Sequence, residues 1–199
     1  MKKFFVLSFF LAFSATLFAQ VEVTKFLGIP VDGKKEDFIS RLTEKGFSIV
    51  SDTDGILEGE FNGKNVYVAV QTNNRKVWRI GVIDKNGCDE TQIKINFNNL
   101  CLQFEENSKY IGSRNQTISE DEDIDYEMSV HNKRYEAVFY QKSQEKNEEE
   151  NGDTAEEILK GTMNRLVWFM IAESPLRYGK YIIEMFYENG YNKANGEDL

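Results

Sequence analysis

Histidine occurs once in this chain, at position 131, and cysteine twice, at positions 88 and 101. A lone histidine removes histidine-rich metal sites and most general-base arrangements. Its place beside the turn Asn132-Lys133 predicts an exposed hairpin end rather than a catalytic base. No serine stands in a nucleophile-elbow context, and no glycine-rich phosphate loop precedes a helix. Basic residues are outnumbered 24 to 33, so nucleic acid and anionic lipid are repelled on average. Prolines number two, while aromatics make up 13% and apolar residues 41%, the composition of a folded, sheet-rich chain.

Long hydrophobic runs are also missing, apart from one at the start. Lys2 and Lys3 lead into an apolar run from Phe4 to Phe18 that ends in Ala19-Gln20. That pattern predicts a secretory signal peptide over residues 1–19, shorter than the roughly 20 apolar residues of a spanning helix. Cleavage leaves residues 20–199, or 180 residues, enough for a single α+β domain with a real core. With Lys2 and Lys3 gone, 22 basic residues face 33 acidic ones, a formal charge of −11. No cysteine lies near the cut to carry a lipid. The expectation is a secreted or periplasmic protein with no membrane anchor.

An oxidising compartment invites a disulfide, but spacing argues against one here. Ile93, Phe97, Leu100, Cys101 and Phe104 form a helical stripe, so Cys88 and Cys101 fall at opposite ends of one helix. Thirteen helical residues span about 20 Å, and a bridge needs α-carbons within roughly 7 Å. Cys101 is read as a buried apolar residue, and nothing in the sequence brings Cys88 close to His131 as a nucleophilic pair.

Along the mature chain, residues 21–26 read as a short strand and residues 28–33 as a turn. Residues 34–45 place Phe38, Ile39 and Leu42 on one helical face, and Gly46 is placed to end that helix. Strands follow at 47–50, 56–61, 65–72 and 75–84, with Asn62-Gly63 and Asn73-Asn74 as tight hairpin turns. In the last of these strands, simple alternation puts Trp78, Ile80 and Val82 on one face and Val77, Arg79 and Gly81 on the other. A second helix over 89–107 and a short strand at 110–111 come next. A hairpin of 125–131 with 134–142 and a final strand pair, 165–172 and 181–187, complete the pattern before a polar tail.

Asn74-Arg75-Lys76-Val77-Trp78 returns, with one change, as Asn164-Arg165-Leu166-Val167-Trp168. The segment predicts two degenerate repeats, about 20–86 and 87–199, each a helix followed by an antiparallel meander. Hairpins align 69 positions apart and these strands 90 apart, so an acidic insertion is expected within 143–157. The expected architecture is one antiparallel sheet with its helices packed on one face.

The segment from Phe26 to Gly33, the Val-Trp strands and the ending Ala194-Asn195-Gly196-Glu197-Asp198-Leu199 resemble a group of small exported proteins of Bacteroidetes bacteria. The shared motifs are structural, and the resemblance implies no catalytic residue. The helix-plus-meander plan is similar in outline to β-lactamase inhibitor protein and to small outer-membrane assembly lipoproteins. That likeness implies a protein that works by binding other proteins, although fold alone does not fix function.

Candidate sites are few. Asp52-Thr53-Asp54-Gly55 opens like a calcium loop but lacks the third acceptor and the closing glutamate, and a turn explains it as well. The acidic runs 120–125 and 145–157 read as solvated loops, leaving no metal or cofactor assigned. Tyr67, Arg79 and Phe169 are placed on sheet faces away from the core, as a binding surface. The function read from the sequence is therefore non-enzymatic binding by a monomer, most simply to a protein in the periplasm or outside the cell. Acidic loops would steer a basic partner. The alternative is a carboxylate-dependent hydrolase or binder of glycan or cell-wall material, which needs two converging carboxylates. Mass spectrometry of the protein recovered from its host is expected to find Gln20 at the N-terminus; an intact leader would refute export by cleavage.

Overall fold

In a computed structural model, residues 22–51, 53–112, 115–143 and 164–193 are described. The expected signal peptide (1–19), Asp52, most of the expected insertion (143–157) and residues 194–199 lie outside them. β1 (Lys25–Phe26) and β2 (Ile29–Pro30) form a small separate sheet around Leu27-Gly28, whose φ angles are 50° and 80°. The strand expected over 21–26 thus narrows to two residues. α1 (Lys35–Glu44) buries Phe38 and Leu42 and gives way at Gly46, where φ is 94°, a conformation glycine adopts without a Cβ penalty.

β3 (Ser48–Ile49) and β4 (Ile56–Phe61) lead through Asn62-Gly63 into β5 (Lys64–Asn73). The turn residues have φ of 51° and 72°, the left-handed pair that matches a right-twisted hairpin. The next turn is Asn74-Arg75, one residue later than expected, with φ of 48° and 65°, and it opens β6 (Lys76–Asp84).

Asp89 caps α2 (Glu90–Glu106) by accepting a 2.9 Å hydrogen bond from the Gln92 amide. The stripe from Ile93 to Phe104 is buried as its period requires. Cys101 lies within that stripe and Cys88 just before the helix, and both thiols are free. Burial pushes the Cys101 thiol up to about 12. β7 (Tyr110–Gly112) follows.

Residues 124–131 do not form a strand. They are a helix, α3 (Ile124–His131), started by Asp123, which accepts from the Tyr126 amide, and ended by Asn132 at φ 52°. Apolar residues at 124, 126, 128 and 130 imitate strand alternation, but the caps at both ends favour helix. Ile124 and Met128, one turn apart, face the core. His131 therefore closes a helix, its Nδ1 2.9 Å from Glu127. The acidic run before it is structural: Glu122 accepts from Lys133 and from the Tyr135 hydroxyl, and Asp125 accepts from Tyr181 at 2.6 Å.

β8 (Glu136–Gln141), β9 (Leu166–Glu173) and β10 (Tyr181–Glu188) complete an eight-stranded antiparallel sheet in the order β3-β4-β5-β6-β10-β9-β8-β7. The N-terminal segment is stitched onto its end: the Thr24 amide and hydroxyl both donate to the Asn164 carbonyl, and Asn189 donates to the Val31 carbonyl. α1, α2 and α3 contribute to one apolar cluster with alternate residues of β4 to β6 and β8 to β10. Among the described residues no helix is long and apolar enough to cross a membrane.

Phe169 belongs to this core and not to a binding surface. It is fully buried, with its ring 5.1 Å from Phe97, 5.6 Å from Phe104 and 6.0 Å from Phe139. β9 is apolar on both sides, and the register puts its odd residues under α2. Phe169→Ala is expected to cost about 3 to 5 kcal/mol in urea unfolding, the range for a deleted core aromatic; a loss below about 1 kcal/mol would contradict this packing.

Candidate functional site on the open sheet face

The residues that alternate with the core positions stand on the face that the helices leave open. Strand registers arrange them in rows. Glu58, Tyr67, Ile83, Glu184, Met170 and Glu136 cross β4, β5, β6, β10, β9 and β8 in one row. Beside it run Ile56, Ala69, Gly81, Phe186, Trp168 and Val138, and then Gln71, Arg79, Glu188, Leu166 and Tyr140. At ordinary strand spacings this lattice measures about 24 Å by 14 Å. Tyr67, Trp168, Met170 and Phe186 are each partly exposed.

A β-bulge builds the centre of this face. The β5–β6 register shifts between Gln71 and Thr72, so Thr72 pairs with Val77 and Gln71 with Arg79, leaving Trp78 as the extra residue. Simple alternation therefore fails here: Val77 turns into the core beside Ile80, and Trp78 does not join it. Trp78 instead lies against Arg79, whose guanidinium carbon is 4.2 Å from the Trp78 ring, 5.1 Å from Phe186 and 5.9 Å from Trp168. Such cation–π contacts are worth about 0.5 to 2 kcal/mol each, more as water is excluded.

Glu188 neutralises Arg79 at 2.6 Å and also accepts from the Trp168 indole at 2.8 Å. The Arg79 Nε is buried without a hydrogen-bond partner. Trp168 stacks on Phe186 at 4.4 Å, and Phe186 lies beside Gly81, where a Cβ would meet the ring at 3.6 Å. Toward one edge, Lys85 bonds Glu58 at 2.5 Å and sits 4.8 Å from the Tyr67 ring; the Glu58 hydrogen bond raises the Lys85 pKa. At the other edge Arg134 pairs with Glu136 at 3.1 Å.

Glu184 is the exception. It stands between Ile83 and Met170, and no hydrogen bond or ion pair from the described residues reaches its carboxylate. Burial alone raises its pKa above the ordinary value. Beyond it, the loop from β9 to β10 carries Leu176, 75% exposed, and Tyr178, fully exposed.

Of the residues proposed from sequence, Tyr67 and Arg79 stand on this face and Phe169 does not. Trp168, Phe186, Glu184 and Glu188 were missed. The alternation Ile182, Glu184, Phe186, Glu188 was visible, but the sequence did not say which side of β10 the helices cover. Asp54 is fully exposed and faces Lys35 at 3.2 Å, while its supposed calcium partner Asp52 lies outside the described residues. Among the described residues no three His, Cys, Asp or Glu side chains gather as metal ligands. Glu184 and Glu188 are four residues apart on one strand, about 13 Å along the backbone.

The helix side of the sheet holds a second concavity of about 280 Å³ between α2 and the β4–β5 turn. Phe61, Leu100, Phe104 and Met185 line it together with Asn62 and Gln103, which share a 2.8 Å hydrogen bond. Leu100 and Phe104 on its floor belong to the core cluster.

Comparison with protein-family models, curated proteins and solved structures finds no match to this chain.

The raised Glu184 pKa has a definite sign. The protonated form is favoured in the fold, so the contribution to stability is full below the ordinary value of 4.5 and is lost as pH rises through the raised value. Glu184→Gln, which cannot ionise, is expected to melt with the natural chain at low pH and above it at neutral pH. A gap that does not change with pH would rule out buried charge as its source.

Proposed function

We propose that this chain is an exported, non-enzymatic binding protein whose open sheet face docks another protein in the periplasm or outside the cell. One observation carries the reading: aromatic and aliphatic side chains from β5, β6, β9 and β10 gather around Arg79 on the side of the sheet away from the helices, with Tyr67, Trp168, Met170 and Phe186 partly exposed. Large rigid aromatics beside a desolvated arginine are the composition of interface hot spots. Leu176 and Tyr178, exposed on the adjoining β9–β10 loop, are further apolar groups open to a partner. The charged pairs Lys85–Glu58 and Arg134–Glu136 form its rim and keep copies of the sheet apart.

The mirrored strand order supports two degenerate halves, with β10 standing where β6 stands in the first. On that alignment Trp78 on β6 and Trp168 on β9 are not equivalent, so the Asn74–Trp78 and Asn164–Trp168 segments that suggest the repeats do not superpose, although both rings lie near Arg79.

Immobilised protein, residues 20–199, exposed to envelope and secreted fractions of its host is expected to retain one protein that a Tyr67→Ala, Trp168→Ala variant of equal melting behaviour releases. Retention of glycan or peptidoglycan instead of a protein would overturn the reading.

A further inference from the structure

Three acidic groups of the open face have their counter-charge within the chain. Glu188 is held by Arg79, Glu58 by Lys85, and Glu136 by Arg134. Glu184, on a central strand but in an outer row of the lattice, has none, although it is half-buried between Ile83 and Met170 and one row from Phe186 and Trp168. An ionised carboxylate in apolar surroundings is costly unless a cation meets it. The described residues could have supplied one, as they do three times nearby, and do not.

We infer that Glu184 is the receptor for a single arginine or lysine on the docked protein, set beside an apolar residue of that partner. This rests on the open face being the docking surface. The chemistry of the site fits such a side chain along its length. The methylene stem would lie on Ile83 and Met170, whose side chains flank the carboxylate, while the charged head meets the Glu184 oxygens. The partner's apolar neighbour would rest on the stacked pair Trp168 and Phe186, one residue pair along the strands. Closing the face would remove water from the new ion pair and strengthen it. The formal charge of −9 over the whole chain favours approach by a basic surface before contact is made. With Glu58, Glu136 and Glu188 already paired, the site also discriminates: a partner offering an acidic or uncharged side chain at that point would bury Glu184 without compensation.

The test is selection from a random linear peptide library displayed on phage, panned on the protein spanning residues 20–199. Selected peptides are then measured as free synthetic peptides against that protein, Glu184→Gln and Trp168→Ala. Melting curves of the variants establish that each is folded, and Glu184→Gln leaves the packing of the face in place. The expected result is a set of peptides that share one arginine or lysine next to an apolar residue. These should bind Glu184→Gln at least tenfold more weakly and should lose the same factor when that cation becomes glutamine. The two losses should not add when combined, since both remove one pair. Peptides that weaken on Trp168→Ala but bind Glu184→Gln as well as the natural chain would overturn the cation receptor and leave the docking face standing. Peptides indifferent to both substitutions, or no selected peptide at all, would overturn both.

Discussion

The register in which β10 lies along β6 decides most of what this molecule presents. Glu184 falls opposite Ile83, Phe186 opposite Gly81 and Glu188 opposite Arg79. Those two strands join the first half of the chain to the second, and a slip of one residue would turn every side chain of β10 to the other face. Tyr181, Ile183, Met185 and Tyr187 would then leave the core, while Glu184 and Glu188 would enter it. The penalty for burying two carboxylates under the helices, added to the lost apolar burial, holds the register in place. The same pairing brings Arg79, Glu188, Phe186 and Trp168 into one cluster.

The two faces of the sheet solve different problems with the same strand period. Under the helices, phenylalanines stack within 4.7 to 6.0 Å of one another and exclude water. On the open side, aromatics are spread around a paired arginine and remain half-exposed. A face of that kind keeps its shape through internal contacts while leaving ring surface available, which lowers the ordering cost of binding. Its charged margins and the acidic excess of the chain offset the tendency of an exposed apolar sheet to self-associate.

Local chemistry was legible wherever a segment carries its own instructions. Asn62-Gly63 announced a left-handed hairpin turn, Gly46 a helix end, and the Ile93 to Phe104 stripe a helix with one buried side. α3 was misread because its apolar spacing mimics a strand and its identity lies in two caps, Asp123 and Asn132, that a periodicity argument does not weigh. The β6 faces were misread because a bulge changes the phase of alternation between Val77 and Ile80, and nothing in Lys76-Val77-Trp78-Arg79 marks the extra residue. Phe169 was placed outside because β9 is apolar on both faces, leaving its sequence neutral about which side the helices cover.

The sequence by itself determined composition, charge, the hairpin turns, two of the three helices and the strand-rich α+β character, since each depends on φ/ψ preference and side-chain period within a few neighbouring residues. Only the tertiary structure decided which face of β9 and β10 is covered, that Trp78 and Trp168 converge on Arg79, and that Glu184 is left without a counter-charge. Those outcomes depend on pairing between residues about a hundred positions apart, as Arg79 and Glu188 are, and no local preference encodes which distant strand supplies the neighbour.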